Sequence, residues 1–174
     1  MLILMAGLPA TGKSTIARRL ALDLPAILLD KDSIRAALFP PSEIDYSVDQ
    51  DDLCARAMLQ AAQYVLRRDR AKHVILDGRP FSRAYQVTEC AQVAQGLGVP
   101  LRVIQCYCSD DAARARLARD SREGSHVAAN RDFRLYQALK DRFEPIAQEK
   151  LLVNTDEALE ACLQSCLAYL RSAQ

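Results

Sequence analysis

Residues 7–14 read Gly7-Leu8-Pro9-Ala10-Thr11-Gly12-Lys13-Ser14, a complete G-x-x-x-x-G-K-[ST] pattern, and they follow directly on the apolar run Leu2-Ile3-Leu4-Met5-Ala6. No other feature constrains the fold as much. The two glycines let the backbone curl without a Cβ clash, so that successive N–H groups turn inward toward an anion. Lys13 adds a cation placed for β- and γ-phosphates, and Ser14 places a hydroxyl for the magnesium ion that accompanies them. The segment Thr15-Ile16-Ala17-Arg18-Arg19-Leu20-Ala21 reads as a helix whose positive end faces the same anion. Strand, loop and helix in this order predict a nucleotide polyphosphate site with contacts from Gly7, Leu8, Pro9, Ala10, Thr11, Gly12, Lys13, Ser14 and Thr15.

A chain of 174 residues is expected to form one domain over 1–174 and to bury a core without disulfides or metals. Its apolar runs stop far short of the roughly twenty residues a membrane-crossing helix needs. The apolar start lacks a basic leader and enters the loop at once, so it reads as a buried strand rather than a secretion signal. The six cysteines form no C-x-x-C pair and lie far in sequence from His73 and His126, which argues against zinc. Cys106, Cys108, Cys162 and Cys166 instead read as small core hydrophobes in a reducing, cytoplasmic compartment. A net charge of +1 excludes the broad positive field of an avid, sequence-independent nucleic-acid binder.

Short apolar runs recur at Leu2–Ala6, Ala26–Leu29, His73–Asp77, Leu101–Tyr107 and Leu151–Asn154, separated by helical patterns. That alternation predicts an α/β fold, a parallel sheet covered on both faces. Two helix faces are legible, one through Cys54, Met58, Ala61, Ala62 and Val65, the other through Leu159, Cys162, Leu163, Cys166, Leu167 and Leu170. Ser47 with Gln50, and Asn154 with Glu157, have the spacing of capping boxes. Pro145 is expected to close or kink the helix carrying Leu135, Tyr136, Leu139 and Phe143. Gly124-Ser125 offers either a hinge or a plain surface turn.

Three clusters carry the candidate chemistry. After the second strand, Asp30-Lys31-Asp32-Ser33-Ile34-Arg35 sets two carboxylates at the carboxyl edge of the sheet, where α/β folds bind ligands. Asp32, ahead of Asp30, is the candidate to take a proton from a hydroxyl attacking the γ-phosphate, with Arg35 one turn on to hold the acceptor. The third strand ends Leu76-Asp77-Gly78-Arg79, and Asp77 is placed either to hold a metal-bound water or to touch the acceptor hydroxyl. Arg79 and Arg83 follow as candidate acceptor contacts. From Asp110 to Arg122 the chain is rich in arginine, and Arg116, Arg119 and Arg122 form a drifting helical stripe suited to a lid over about 110–130. Arg119 and Arg116 are the foremost candidates to neutralise charge on the transferring phosphoryl group. The acidic stretch 39–52, if it faces the acceptor, would disfavour a polyanion there.

The phosphate loop, Asp32-x-x-Arg35, Leu76-Asp77-Gly78 and the arginine-rich lid together resemble the small P-loop kinases. Within them the likeness is to the AAA-type ATPase-like branch that groups polynucleotide 5′-hydroxyl kinases, zeta-toxin-like kinases and chloramphenicol phosphotransferase-like proteins. The resemblance implies a three-layer P-loop NTPase fold with a five-stranded parallel sheet in the order 2-3-1-4-5. It also implies Asp32 as general base, Arg35 on the acceptor, Arg116 or Arg119 clamping ATP, and Thr155, in the stretch after the last strand, near the adenine. The expected activity is transfer of the γ-phosphoryl group from ATP, with Mg2+, to a hydroxyl. A sugar, nucleoside or antibiotic-like acceptor is expected ahead of a nucleic-acid 5′ end. The alternative is an ATP-hydrolysing switch acting on a protein partner, which would turn over without an acceptor.

Overall fold

The computed structural model describes residues 1–123 and 132–172. Its elements alternate as β1 (Leu2–Ala6), α1 (Lys13–Asp23), β2 (Ile27–Asp30), α2 (Lys31–Leu38), α3 (Val48–Arg68), β3 (Val74–Asp77), α4 (Ala84–Leu97), β4 (Leu101–Tyr107), α5 (Asp110–Glu123), α6 (Phe133–Lys140), β5 (Lys150–Asn154) and α7 (Leu159–Arg171). The strands form one parallel sheet in the order β2-β3-β1-β4-β5, with helices on both sides. This is the order that the family resemblance implies. Three strands start or end one residue from the sequence boundaries.

The period-2 pattern of β1 explains the layering, because alternate side chains of a strand leave opposite faces of the sheet. Leu2, Leu4 and Ala6 enter a core built with Met58, Ala62 and Leu66 of α3 and Val87, Cys90 and Ala94 of α4. Met1, Ile3 and Met5 enter a second core with Ile16, Ala17 and Leu20 of α1 and Cys162, Leu163, Cys166 and Leu170 of α7. Each of these large side chains is buried and contributes about 1.5–3 kcal/mol. A third cluster, Ala10, Ala113, Leu117 and Tyr136, packs α5 and α6 onto the phosphate loop. No helix of the described residues is long and apolar enough to cross a membrane.

Several local expectations are corrected. Ala61 is exposed, and the inner face of α3 runs instead through Cys54, Ala55, Met58, Leu59, Ala62 and Leu66. The Ser47 cap is present, its hydroxyl accepting the Gln50 N–H at 3.1 Å. Asn154 caps no helix: its Oδ1 accepts the Asp156 N–H at 3.1 Å, and α7 starts only at Leu159. The short Asx turn competes successfully because its donor is only two residues away. Helix α6 ends at Lys140, well before Pro145, and Phe143 packs on the core from the loop beyond it. The Gly124-Ser125 hinge candidate, His126 and the far part of the expected lid lie outside the described residues.

The cysteines are free and, except for half-buried Cys108, buried. Burial pushes the thiols of Cys90, Cys106 and Cys166 up to about 12, so they stay protonated and act as small hydrophobes.

Gly7 fixes how closely the loop approaches the sheet. It adopts φ +128, and a Cβ there would stand 2.2 Å from the backbone carbonyl oxygen of Cys106 in β4. Gly7→Ala combines an unfavourable φ with a collision against a strand that is paired on both sides. The expected loss of stability is about 3 kcal/mol or more, read as a lowered urea midpoint; an unchanged midpoint would show that β4 yields.

Candidate functional site at the carboxyl edge of the sheet

The loop between β1 and α1 is held by neighbours from distant parts of the chain. The Gly7 N–H donates to the Pro80 carbonyl after β3 at 3.0 Å. Thr11 Oγ1 and Lys13 Nζ both donate to the Leu8 carbonyl, at 2.8 and 2.6 Å. After β5, Thr155 Oγ1 lies 3.0 Å from the Thr11 carbonyl and 3.2 Å from that of Tyr107. Arg116 of α5 closes the ring, NH1 donating to the Ala10 carbonyl at 3.2 Å and to Thr155 Oγ1 at 3.0 Å, and NH2 to the Thr155 carbonyl at 2.7 Å. Ala10 itself is held at φ 60, a conformation unfavourable for a residue with a Cβ. Lys13 is buried, Ser14 half-buried, and Thr15 exposed at the start of α1.

Of the arginine stripe, only Arg116 reaches the loop. Arg119 is exposed and contributes neither to the loop contacts nor to the cavity wall. Three residues on a helix turn a side chain about 60° away, and Arg116 alone has the loop beneath it.

A cavity of about 490 Å³ opens beside the loop, and its wall includes Pro9, Lys13 and Ser14 together with Asp32, Arg35 and Arg83. The register pairs Asp30 with Asp77 across β2 and β3, so both acids reach the edge side by side. They then diverge. Asp30 Oδ2 accepts the Ser33 N–H at 2.9 Å and the Ser33 hydroxyl at 2.6 Å, capping α2. That turns Asp32, one position into the helix, onto the cavity wall. Gly78 permits the approach, because with φ +82 its Cβ would stand 2.5 Å from Asp30 Oδ1. Asp77 is buried, and its Oδ1 has no hydrogen-bond partner among the described residues.

Around Asp32 lies an ion-pair network that sequence spacing showed only in part. Arg35 NH1 donates to Asp32 Oδ1 at 2.7 Å and NH2 to Asp51 Oδ1 at 2.6 Å. Lys31 Nζ pairs with Asp51 and lies 3.3 Å from Asp32 Oδ1. Arg79 is buried and pairs with Asp52, whose carboxylate also receives the Tyr85 hydroxyl at 3.0 Å. Arg79 therefore braces α3 rather than facing the cavity, whereas Arg83 lines the cavity and pairs with Glu144 at 3.0 Å. The Ala84 N–H and the Arg83 guanidinium hold the Glu144 carboxyl below the usual range.

Of the acids in 39–52, Asp51 and Asp52 line the cavity, where Lys31, Arg35 and Arg79 neutralise them. They do not present the negative field expected from sequence. Lys31, Asp51, Asp52, Tyr85 and Arg142 are cavity residues that sequence reasoning missed as site residues. For Asp51 and Asp52 a signal existed, since they lie one turn into a helix capped at Ser47. Arg142, from the loop after α6, left none.

A glycine-rich loop clasped between the central strand and α1 of a 2-3-1-4-5 sheet defines a P-loop nucleotide-binding fold. The chain belongs to the AAA domain family, whose model matches residues 2–158. No curated protein matches the sequence. Among solved structures, it is similar to a protein from Chloroflexus aurantiacus j-10-fl, with 22% identity over 97% of each chain and a TM-score of 0.75. It is also similar to Kti12 from Chaetomium thermophilum in complex with ADP-AlF3, with 21% identity, 99% and 98% of the two chains and a TM-score of 0.72. The APS kinase CysC of Mycobacterium tuberculosis, in complex with AMPPNP and APS, shows 18% identity, 98% and 96% coverage and a TM-score of 0.71.

Arg116→Ala removes three charge-assisted hydrogen bonds that tie α5 and Thr155 to the loop. Binding of a non-hydrolysable ATP analogue, followed by calorimetry, is expected to weaken about tenfold or more. Undiminished affinity would show that the loop holds its shape without α5.

Proposed function

We propose that this protein is an ATP- and magnesium-dependent phosphotransferase that moves the γ-phosphoryl group to a hydroxyl of a small molecule. One observation carries the reading: a single cavity runs from Lys13 and Ser14 of the phosphate loop to Asp32. A nucleotide held by the loop and an acceptor held at Asp32 would therefore meet within one enclosure. The cavity volume suits a sugar, nucleoside or antibiotic-like acceptor, and a nucleic-acid 5′ end would have to enter as a single terminal nucleotide. The nucleotide analogues bound to Kti12 and APS kinase support ATP as donor.

In this reading Lys13 and the loop amides bind the phosphates, with Thr155 and Arg116 supporting the loop from the outside. Arg116 is the lid arginine nearest the loop, and Arg119 would join it only through a movement of α5. Asp32 accepts the proton of the attacking hydroxyl, Arg35 orients Asp32, and Arg83 faces the acceptor. The residues also fit a magnesium ion. Ser14 offers a hydroxyl and Asp77 a buried carboxylate oxygen with no hydrogen-bond partner, hard donors of the kind Mg2+ takes alongside water and phosphate oxygens. Such an ion supplies charge neutralisation on the phosphates. The free thiols suit a cytoplasmic location.

The test is incubation with γ-labelled ATP and magnesium against nucleosides, sugars, aminoglycosides and other hydroxyl antibiotics, and oligonucleotide 5′ ends. Label is expected on a small acceptor; label released only as free phosphate across the panel would favour hydrolysis and a switch. Asp32→Ala is expected to lower transfer by about 10²–10⁴-fold while ATP affinity stays within about twofold. Full transfer by that variant would remove Asp32 as the base.

A further inference from the structure

Asp32 is held along one edge only. Arg35 NH1 and Lys31 Nζ both approach Oδ1, at 2.7 and 3.3 Å, whereas Oδ2 takes no hydrogen bond from the described residues. Both cations are also claimed from the other side. Asp51, one turn into α3, pairs through Oδ1 with Lys31 Nζ and with Arg35 NH2, and its Oδ2 lies 3.7 Å from Arg79 Nε. Lys31, Arg35 and Arg79 are among the few buried charged side chains of the molecule, and the three carboxylates of Asp32, Asp51 and Asp52 balance them.

We propose that Asp51 is a positioning residue for phosphoryl transfer: by sharing Lys31 and Arg35 it keeps both cations on the Oδ1 edge of Asp32 and leaves Oδ2 open to the acceptor hydroxyl. The inference rests on the reading of Asp32 as base. In the step it serves, the acceptor O–H gives its proton to Asp32 Oδ2 as its oxygen bonds to the γ-phosphorus. The bond from that phosphorus to the β–γ bridging oxygen breaks, and ADP leaves with the electron pair.

Without the Asp51 charge, three cations face two carboxylates, and the Lys31 ammonium, on a flexible stem, is released to swing over Oδ2. Both oxygens of Asp32 would then be occupied, and Oδ2 would be closed to the acceptor hydroxyl. The other ionisable groups facing this pair leave the balance intact. Asp30 is turned away to cap α2, Asp52 is taken by Arg79 and the Tyr85 hydroxyl, Lys13 stands across the cavity on the phosphate loop, Tyr46 meets Arg35 with its ring face, and the Cys54 thiol beside Arg35 is pushed up by burial and stays neutral.

Asp51→Asn keeps the shape and removes the charge. With the acceptor identified by the labelling panel, it is expected to lower kcat about tenfold near neutral pH and to leave KM for ATP within about twofold. Asp51→Glu should restore kcat. Lys31→Gln, which removes the ammonium itself, should recover most of the lost kcat when combined with Asp51→Asn, and the double variant serves if Asp51→Asn alone does not fold. In an Asp32→Asn background, Asp51→Asn should cost nothing further. An undiminished kcat in Asp51→Asn, no recovery on adding Lys31→Gln, or a full additional loss in the Asp32→Asn background would overturn the proposal. Undiminished transfer by Asp32→Asn alone would instead defeat the base assignment on which it rests.

Discussion

Everything at the carboxyl edge depends on how closely the phosphate loop is wedged against the strands beside it. At Gly7 the backbone leaves β1 and passes the Cys106 carbonyl of β4 with no room for a Cβ. The same residue donates to Pro80, beyond β3. Gly7 is thus fixed to both neighbours of the central strand, and further along the loop the Thr11 and Ala10 carbonyls are taken by Thr155 and Arg116. With these carbonyls satisfied from neighbouring elements, the loop is held in one shape.

The Asp32 side of the cavity is built on a different principle. Buried ion pairs are costly to desolvate, and a hydrophobic substitute is often at least as stable. Three buried cations against three carboxylates therefore contribute little to stability as such, though removing one partner alone would leave an uncompensated charge. What the cluster secures is orientation. Its members come from α2, α3 and the loop after β3, so the position of Asp32 reflects three elements at once.

The sheet was legible because each strand is a short apolar run ended by a polar or small residue, and the loop because its chemistry requires particular residues at fixed spacing. That Asp32, Arg35 and Asp77 lie at the carboxyl edge was legible for a related reason: strand ends and the first turn of a helix project to a known edge. Asp51 and Asp52 were harder. They are contiguous acids near a helix start, a pattern ordinarily explained by the helix dipole, and only the packing of α3 over α2 turns them toward Lys31 and Arg79. Arg119 illustrates the converse, since a helical stripe gives no indication of which of its residues has a neighbour beneath it. The Asn154 cap failed because a local turn and a helix cap use the same side chain, and the choice depends on where the backbone goes next.

The buried thiols have a use outside the site. Cys90 lies in the core under α3 and α4, whereas Cys106, Cys162 and Cys166 lie in the core under α1 and α7. No disulfide joins the two layers, so beyond the chain connections each layer is held to the sheet by non-covalent contacts. A thiol-directed reagent reaches these sulfurs only when the layer above them opens. The two sets thus act as built-in reporters, one for each side of the sheet, and their separate labelling rates measure whether the molecule breathes as a unit or one layer at a time.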